Sequence, residues 1–106
     1  MAIKKSTDQD FQKIISSQTP VLIKFEADWC APCKSLTPIV EEISEEMKDH
    51  VNFYSHNIES EPNTPTTVGP VRGIPHMILF RNKEILAQRT GSIPKGPLVS
   101  WIKENI

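Results

Sequence analysis

Cysteine is scarce in this chain of 106 residues: there are two, Cys30 and Cys33. One pair cannot build the disulfide framework on which small secreted domains rely, so the sulfurs point to reactivity or metal binding rather than to stapling. Histidine is scarce as well. His50, His56 and His76 are scattered without ligand-like spacing, whereas a structural zinc site needs four donors. Half a zinc site is therefore the weaker reading of the cysteines. An excess of one charge is also missing: 12 basic residues stand against 13 acidic ones, for a net charge of -1. Neither nucleic acid nor an anionic membrane is expected as a partner. No stretch is long and apolar enough to cross a bilayer. Met1 to Ser6 carries basic residues without the apolar run of a secretory signal, so a reducing cytoplasm is the expected setting.

What remains is enough for one core. Hydrophobic residues make up 38% of the chain, which suits a single domain over 1–106. Ser6-Thr7-Asp8-Gln9 has the capping side chains of a helix start, and Phe11, Ile14 and Ile15 share the face that follows. Val21 to Phe25 is a short, β-rich apolar run and reads as a buried strand. A helix is expected from about Pro32, where a missing N–H is harmless. Leu36, Ile39, Val40, Ile43 and Met47 give it a buried stripe, Glu41, Glu42, Glu45 and Glu46 a solvated face, and Pro38 a kink. Val51 to Ile58 reads as a second strand. Glu61 to Pro65 opens a turn and a short helix ending before Gly69-Pro70. His76 to Phe80 is a third strand, turned by Arg81 to Glu84 into Ile85 to Arg89. A last helix starts between Ser92 and Pro97, with Leu98, Trp101 and Ile102 inward. A further short strand is expected near Ile3. This order predicts an α/β fold, a mixed sheet of four to five strands with helices on both faces.

Both cysteines fall in Trp29-Cys30-Ala31-Pro32-Cys33-Lys34, where the first strand gives way to the long helix. A thiolate, not a thiol, attacks a disulfide, and the unpaired amides and dipole of a helix N-terminus favour the thiolate. Cys30 stands just before the first turn and reads as the nucleophile. Cys33, one turn in and expected to be less exposed, reads as the resolving thiol that attacks Cys30 and frees the reduced substrate. Pro32 stiffens the link, and Trp29 offers an exposed apolar plane beside the nucleophile.

The chain resembles the thioredoxin family. The likeness covers Trp29 to Lys34, the helix proline Pro38, Asn57-Ile58-Glu59, Val71-Arg72-Gly73-Ile74-Pro75, Phe80-Arg81-Asn82 and Gly91, in the family's order and at nearly its spacing. The resemblance implies a thioredoxin fold and a protein-disulfide reductase working by reversible dithiol–disulfide exchange. It implies a cis peptide before Pro75, facing the cysteines, and backbone pairing of Ile74 with an extended substrate segment. The implied docking surface is Trp29, Pro32, Val71, Ile74, Pro75 and Gly91. The implied partners are disulfide-containing proteins and a flavin- and NADPH-dependent reductase. A monomer is the default. The dithiol is carried by the chain, so no bound cofactor or metal is expected.

The sequence also departs from the family pattern. Ala31 replaces the usual glycine, a modest change that favours helix. Lys24 stands where the family usually has a buried aspartate behind the resolving cysteine, Glu26 where it usually has tryptophan or a similar residue, and Ser55 where lysine is common. Two readings of Lys24 compete. In the preferred one its stem packs in the core, its ammonium snorkels out and it pairs with Glu26 on the same strand face. In the other its charge approaches Cys33, stabilises the thiolate and makes the protein more oxidising. Glu26 is a candidate replacement for the lost carboxylate. His76 takes the place of a threonine and reads as a partly exposed strand histidine. Gly69-Pro70 and the turn before it suggest a one-residue insertion. The alternatives to a reductase are a more oxidising oxidase or isomerase, and an interaction module that keeps the fold.

Overall fold

The structure is a computed structural model, and it describes residues 2–64, 71 and 73–106. The elements follow the predicted order: β1 (Ile3–Lys5), α1 (Phe11–Ile15), β2 (Val21–Glu26), α2 (Ala31–Glu46), β3 (Asn52–Asn57), β4 (His76–Arg81), β5 (Glu84–Thr90) and α3 (Lys95–Glu104). The expected short helix before Gly69-Pro70 and the suggested insertion there lie outside the described residues, apart from a helical start at Asn63 and Thr64. Arg72 lies outside them too.

The five strands form one sheet in the order β1-β3-β2-β4-β5. β1, β3 and β2 run parallel, while β4 is antiparallel to both β2 and β5. The sheet is mixed because β4 and β5 are joined by a tight turn, which only antiparallel neighbours permit. Asn82 and Lys83 form that turn with φ of 52° and 69°. Positive φ at both central residues matches the right-handed twist of the strands it joins.

Alternation along β2 divides the core in two. Val21, Ile23 and Phe25 meet Phe11 and Ile15 of α1, together with Ile78 and Phe80 of β4. Leu22 faces the other way, into Leu36, Val40 and Ile43 of α2, Leu98 and Ile102 of α3, and Met77 and Leu79 of β4. Both sheet faces are thus covered by helices, which allows the unbroken apolar runs Val21 to Ile23 and Met77 to Phe80. Each large side chain so buried contributes about 1.5–3 kcal/mol. α2 runs unbroken through Pro38, and the chain turns between Met47 and His50 before entering β3.

Lys24 and Glu26 continue the face that carries Leu22. The core on this face is therefore polar at the end of β2 where the cysteine loop begins.

Candidate active site

β2 ends at Glu26, and four residues later Cys30 caps α2 in an extended conformation. Cys30 and Cys33 are joined in a disulfide with their Cα atoms 5.2 Å apart. The Cys33 N–H donates to Cys30 Sγ at 3.2 Å, so one of the orphan amides of the first turn is aimed at that sulfur. Pro32 occupies the first turn, where its missing N–H leaves no bond unmade. The two cysteines are buried almost equally, 3% and 2% exposed. Exposure does not separate them as expected; their positions on the helix do. Trp29 beside them is 67% exposed, and Ala31 and Pro32 are exposed as well.

The Ile74–Pro75 peptide is cis, as the resemblance implied. Pro75 is buried, Ile74 is half-buried, and the Gly91 N–H donates to the Pro75 carbonyl at 2.8 Å. Gly91 has φ of +100°, a region that suits glycine rather than residues with a side chain. Val71 is half-buried and packs against the core on the α1 side.

Lys24 corrects the sequence-based expectation in one respect. It pairs with Glu26, its Nζ 2.6 Å from Oε1, but it does not snorkel to solvent: its side chain is 1% exposed. Its strand neighbours are Ser55 and Met77, neither of which is charged. The ammonium instead donates to Thr37 Oγ1 at 2.8 Å, and the Thr37 hydroxyl donates to the Cys33 carbonyl at 3.0 Å. Thr37 was missed from the sequence, although it lies four residues after Cys33 and hence on the same helix face. A cleft of about 320 Å³ lies here, lined by Glu26, Ala27, Asp28, Cys33, Lys34 and Thr37.

Both strand histidines are buried, His76 against the expectation of partial exposure. His76 is not partly exposed: Nε2–H donates to Gln88 Oε1 at 3.0 Å and Nδ1 meets the Thr90 hydroxyl at 2.7 Å. His56 is fully enclosed, with Nε2 bonded to the Glu61 carbonyl and Nδ1 to the Ser6 hydroxyl. Each ring therefore has partners for both nitrogens, as buried polar groups require. Among the described residues, no group of three or more His, Cys, Asp or Glu is placed to hold a metal ion. Among them, too, no helix is long and apolar enough to cross a membrane.

The thioredoxin family model matches residues 2–104. A thioredoxin of Rickettsia felis is 44% identical over 101 residues, which cover 94% of this chain and 95% of that protein. One from Buchnera aphidicola of Schizaphis graminum is 43% identical over 101 residues, covering 94% and 93%. The crystal structure of a Malassezia sympodialis thioredoxin superposes with a TM-score of 0.88 at 26% identity, covering 99% of this chain and 90% of that one. A disulfide closed across the first turn of a helix, on a chain similar to these proteins almost end to end, leaves one assignment: the chain belongs to the thioredoxin family and is a thiol–disulfide oxidoreductase that reduces protein disulfides through Cys30 and Cys33.

Proposed function

We propose that Cys30 is the attacking thiolate and Cys33 the resolving thiol, within a single domain over 1–106. The observation that carries this is the Cys33 amide held 3.2 Å from Cys30 Sγ at the start of α2. An amide and a helix dipole directed at one sulfur favour its thiolate over that of its neighbour. Cys30 then attacks one sulfur of a substrate disulfide, and the other sulfur leaves with the electron pair. Cys33 attacks Cys30 in turn, the Cys30–Cys33 bond closes and the second substrate thiol departs.

Exposed Trp29 and Pro32, with half-buried Val71, Ile74 and Gly91 around Pro75, form the surface on which a protein substrate docks. A small apolar patch is the kind of surface that marks an interaction site. Re-reduction falls to an NADPH-dependent flavoprotein reductase, the setting is the cytoplasm, the protein works as a monomer, and no bound cofactor takes part. A more oxidising role is the second reading, favoured by the buried Lys24 ammonium one hydroxyl away from the Cys33 carbonyl. The Glu26 carboxylate at 2.6 Å offsets that charge, which favours the reductase.

The test is a pair of serine variants. Cys33→Ser should accumulate a mixed disulfide on Cys30, detected by mass spectrometry, and Cys30→Ser should form none. Accumulation on Cys33 instead would reverse the assignment. The reduction potential of the parent separates reductase from oxidase.

A further inference from the structure

We infer that Glu26 receives the proton of Cys33 when that thiol resolves the mixed disulfide, and that Lys24 is the residue positioning Glu26 for it. The inference rests on Cys33 being the resolving thiol. Such a thiol must lose its proton before it attacks, and Cys33 is buried, so an acceptor must reach it through the cleft.

Among the described residues, the groups lining that cleft are few. Lys34 is a donor without acceptor capacity. The Thr37 hydroxyl is engaged twice, accepting from Lys24 and donating to the Cys33 carbonyl. Asp28 is exposed and accepts from Asn57 Nδ2 at 3.3 Å. Glu26 is left. Its Oε1 is buried and held 2.6 Å from the Lys24 ammonium, with no other hydrogen-bond partner among the described residues, so the carboxylate keeps lone pairs free. Glu26 and Asp28 also line a second cleft of about 310 Å³, with Lys5 and Glu61 among its walls. A carboxyl group that borders both can take a proton from one and release it into the other.

Lys24 has no other evident reason to be charged. Burying an ammonium is costly, and apolar residues in place of both Lys24 and Glu26 would hold the fold at least as well. What the ammonium adds is position. With Nζ fixed by Thr37, the alternation of β2 sets Glu26 beside it at the end of the strand. In the step itself the Cys33 S–H proton passes through one water to Glu26. The Cys33 thiolate attacks Cys30 Sγ, the Cys30–substrate S–S bond breaks, and the substrate sulfur leaves with its electron pair. The proton on Glu26 then goes to that sulfur or to solvent, so no outside oxidant or reductant is needed.

The experiment mixes reduced protein with excess oxidised glutathione, quenches with acid at successive times and counts the Cys30 adduct by mass spectrometry. This yields the rates of attack and of resolution separately. Glu26→Gln should leave attack within about twofold of the parent and slow resolution about tenfold near pH 7, in keeping with the loss of one proton acceptor. The gap should narrow as pH rises, because hydroxide then takes the thiol proton without help from Glu26. Lys24→Met should slow resolution in the same direction, and Glu26→Asp should recover part of the rate. Equal resolution in Glu26→Gln and parent at every pH, or a slowing that does not vary with pH, overturns the inference. Failure of Cys33→Ser to accumulate the adduct overturns instead the assignment on which it rests.

Discussion

Lys24 and Glu26 form an ion pair of 2.6 Å between a fully enclosed ammonium and a carboxylate at the edge of the same sheet face. Such a pair need not make the protein more stable than two apolar residues would, but its halves depend on each other. Lys24→Met should therefore lower the unfolding free energy by about 2–4 kcal/mol, somewhat under the loss for a fully buried pair because Glu26 keeps some contact with water. Adding Glu26→Gln to that variant should cost little more, giving a coupling on the order of 1–2 kcal/mol in the double-mutant cycle. Urea midpoints at unchanged slope measure it. Strict additivity would mean that the pair is structurally idle.

Gly91 and Pro75 are tied by the 2.8 Å amide–carbonyl bond next to the cis peptide. A Cβ at Gly91 would meet nothing within 4 Å, so space is not the constraint; the φ of +100° is. Gly91→Ala should destabilise the fold by about 1–2 kcal/mol through backbone strain alone. By contrast, a Cβ at Gly73 would lie 3.1 Å from Thr90 Cγ2, a contact the neighbouring side chain must relieve. Thermal unfolding of Gly91→Ala checks the first, and an unchanged midpoint would show that the loop relaxes to negative φ.

The cysteine pair, the strands and the β4–β5 turn were legible because each is written in adjacent residues. A short β-rich run, an alternation and a spacing of three do not depend on what folds against them. The same was not true of the polar residues inside the sheet. Whether Lys24 snorkels is decided by Thr37 on α2, 13 residues away. His56 is enclosed by a hydroxyl 50 residues earlier, and His76 by two side chains of the neighbouring strand. Hydrophobic pattern marks such positions as interior or exterior from their own type, and the partner that makes burial tolerable is outside the pattern. Helix starts erred in the same way. Asp8 reads as a cap for α1, but it serves a distant segment.

That segment begins at Asn63. Asp8 accepts from the Asn63 and Thr64 amides at 3.1 and 2.7 Å and from the Thr64 hydroxyl at 2.6 Å. Burial alone pushes its carboxyl up, but the Thr64 hydroxyl, the two amides and nearby His56 outweigh it and hold the pKa below the usual 3.8. A folded pKa below the unfolded one means that the unfolded chain binds more protons in that range. The stabilisation is then present above the unfolded value of about 3.9 and is lost as pH falls through the folded one. Parent and Asp8→Ala should differ most in urea midpoint near neutrality and converge below about pH 3. A difference that stays constant over the acid range would assign the role of Asp8 to shape rather than to charge.

Trp29 offers the cleanest separation of docking from folding. With 67% of its surface open it contributes little to the core, so Trp29→Ala should change stability by no more than about 0.5 kcal/mol. An aromatic that closes over a bound protein chain should matter far more there, because such residues dominate interface energies by about 1 kcal/mol or more. The expected result is a fall in kcat/KM of about fivefold or more toward a protein disulfide, carried mainly by KM. Oxidised glutathione, too small to cover the ring, should react at nearly the parental rate. Were both substrates slowed alike, Trp29 would be acting on the Cys30 sulfur rather than on the substrate surface, and the docking patch would have to be redrawn without it.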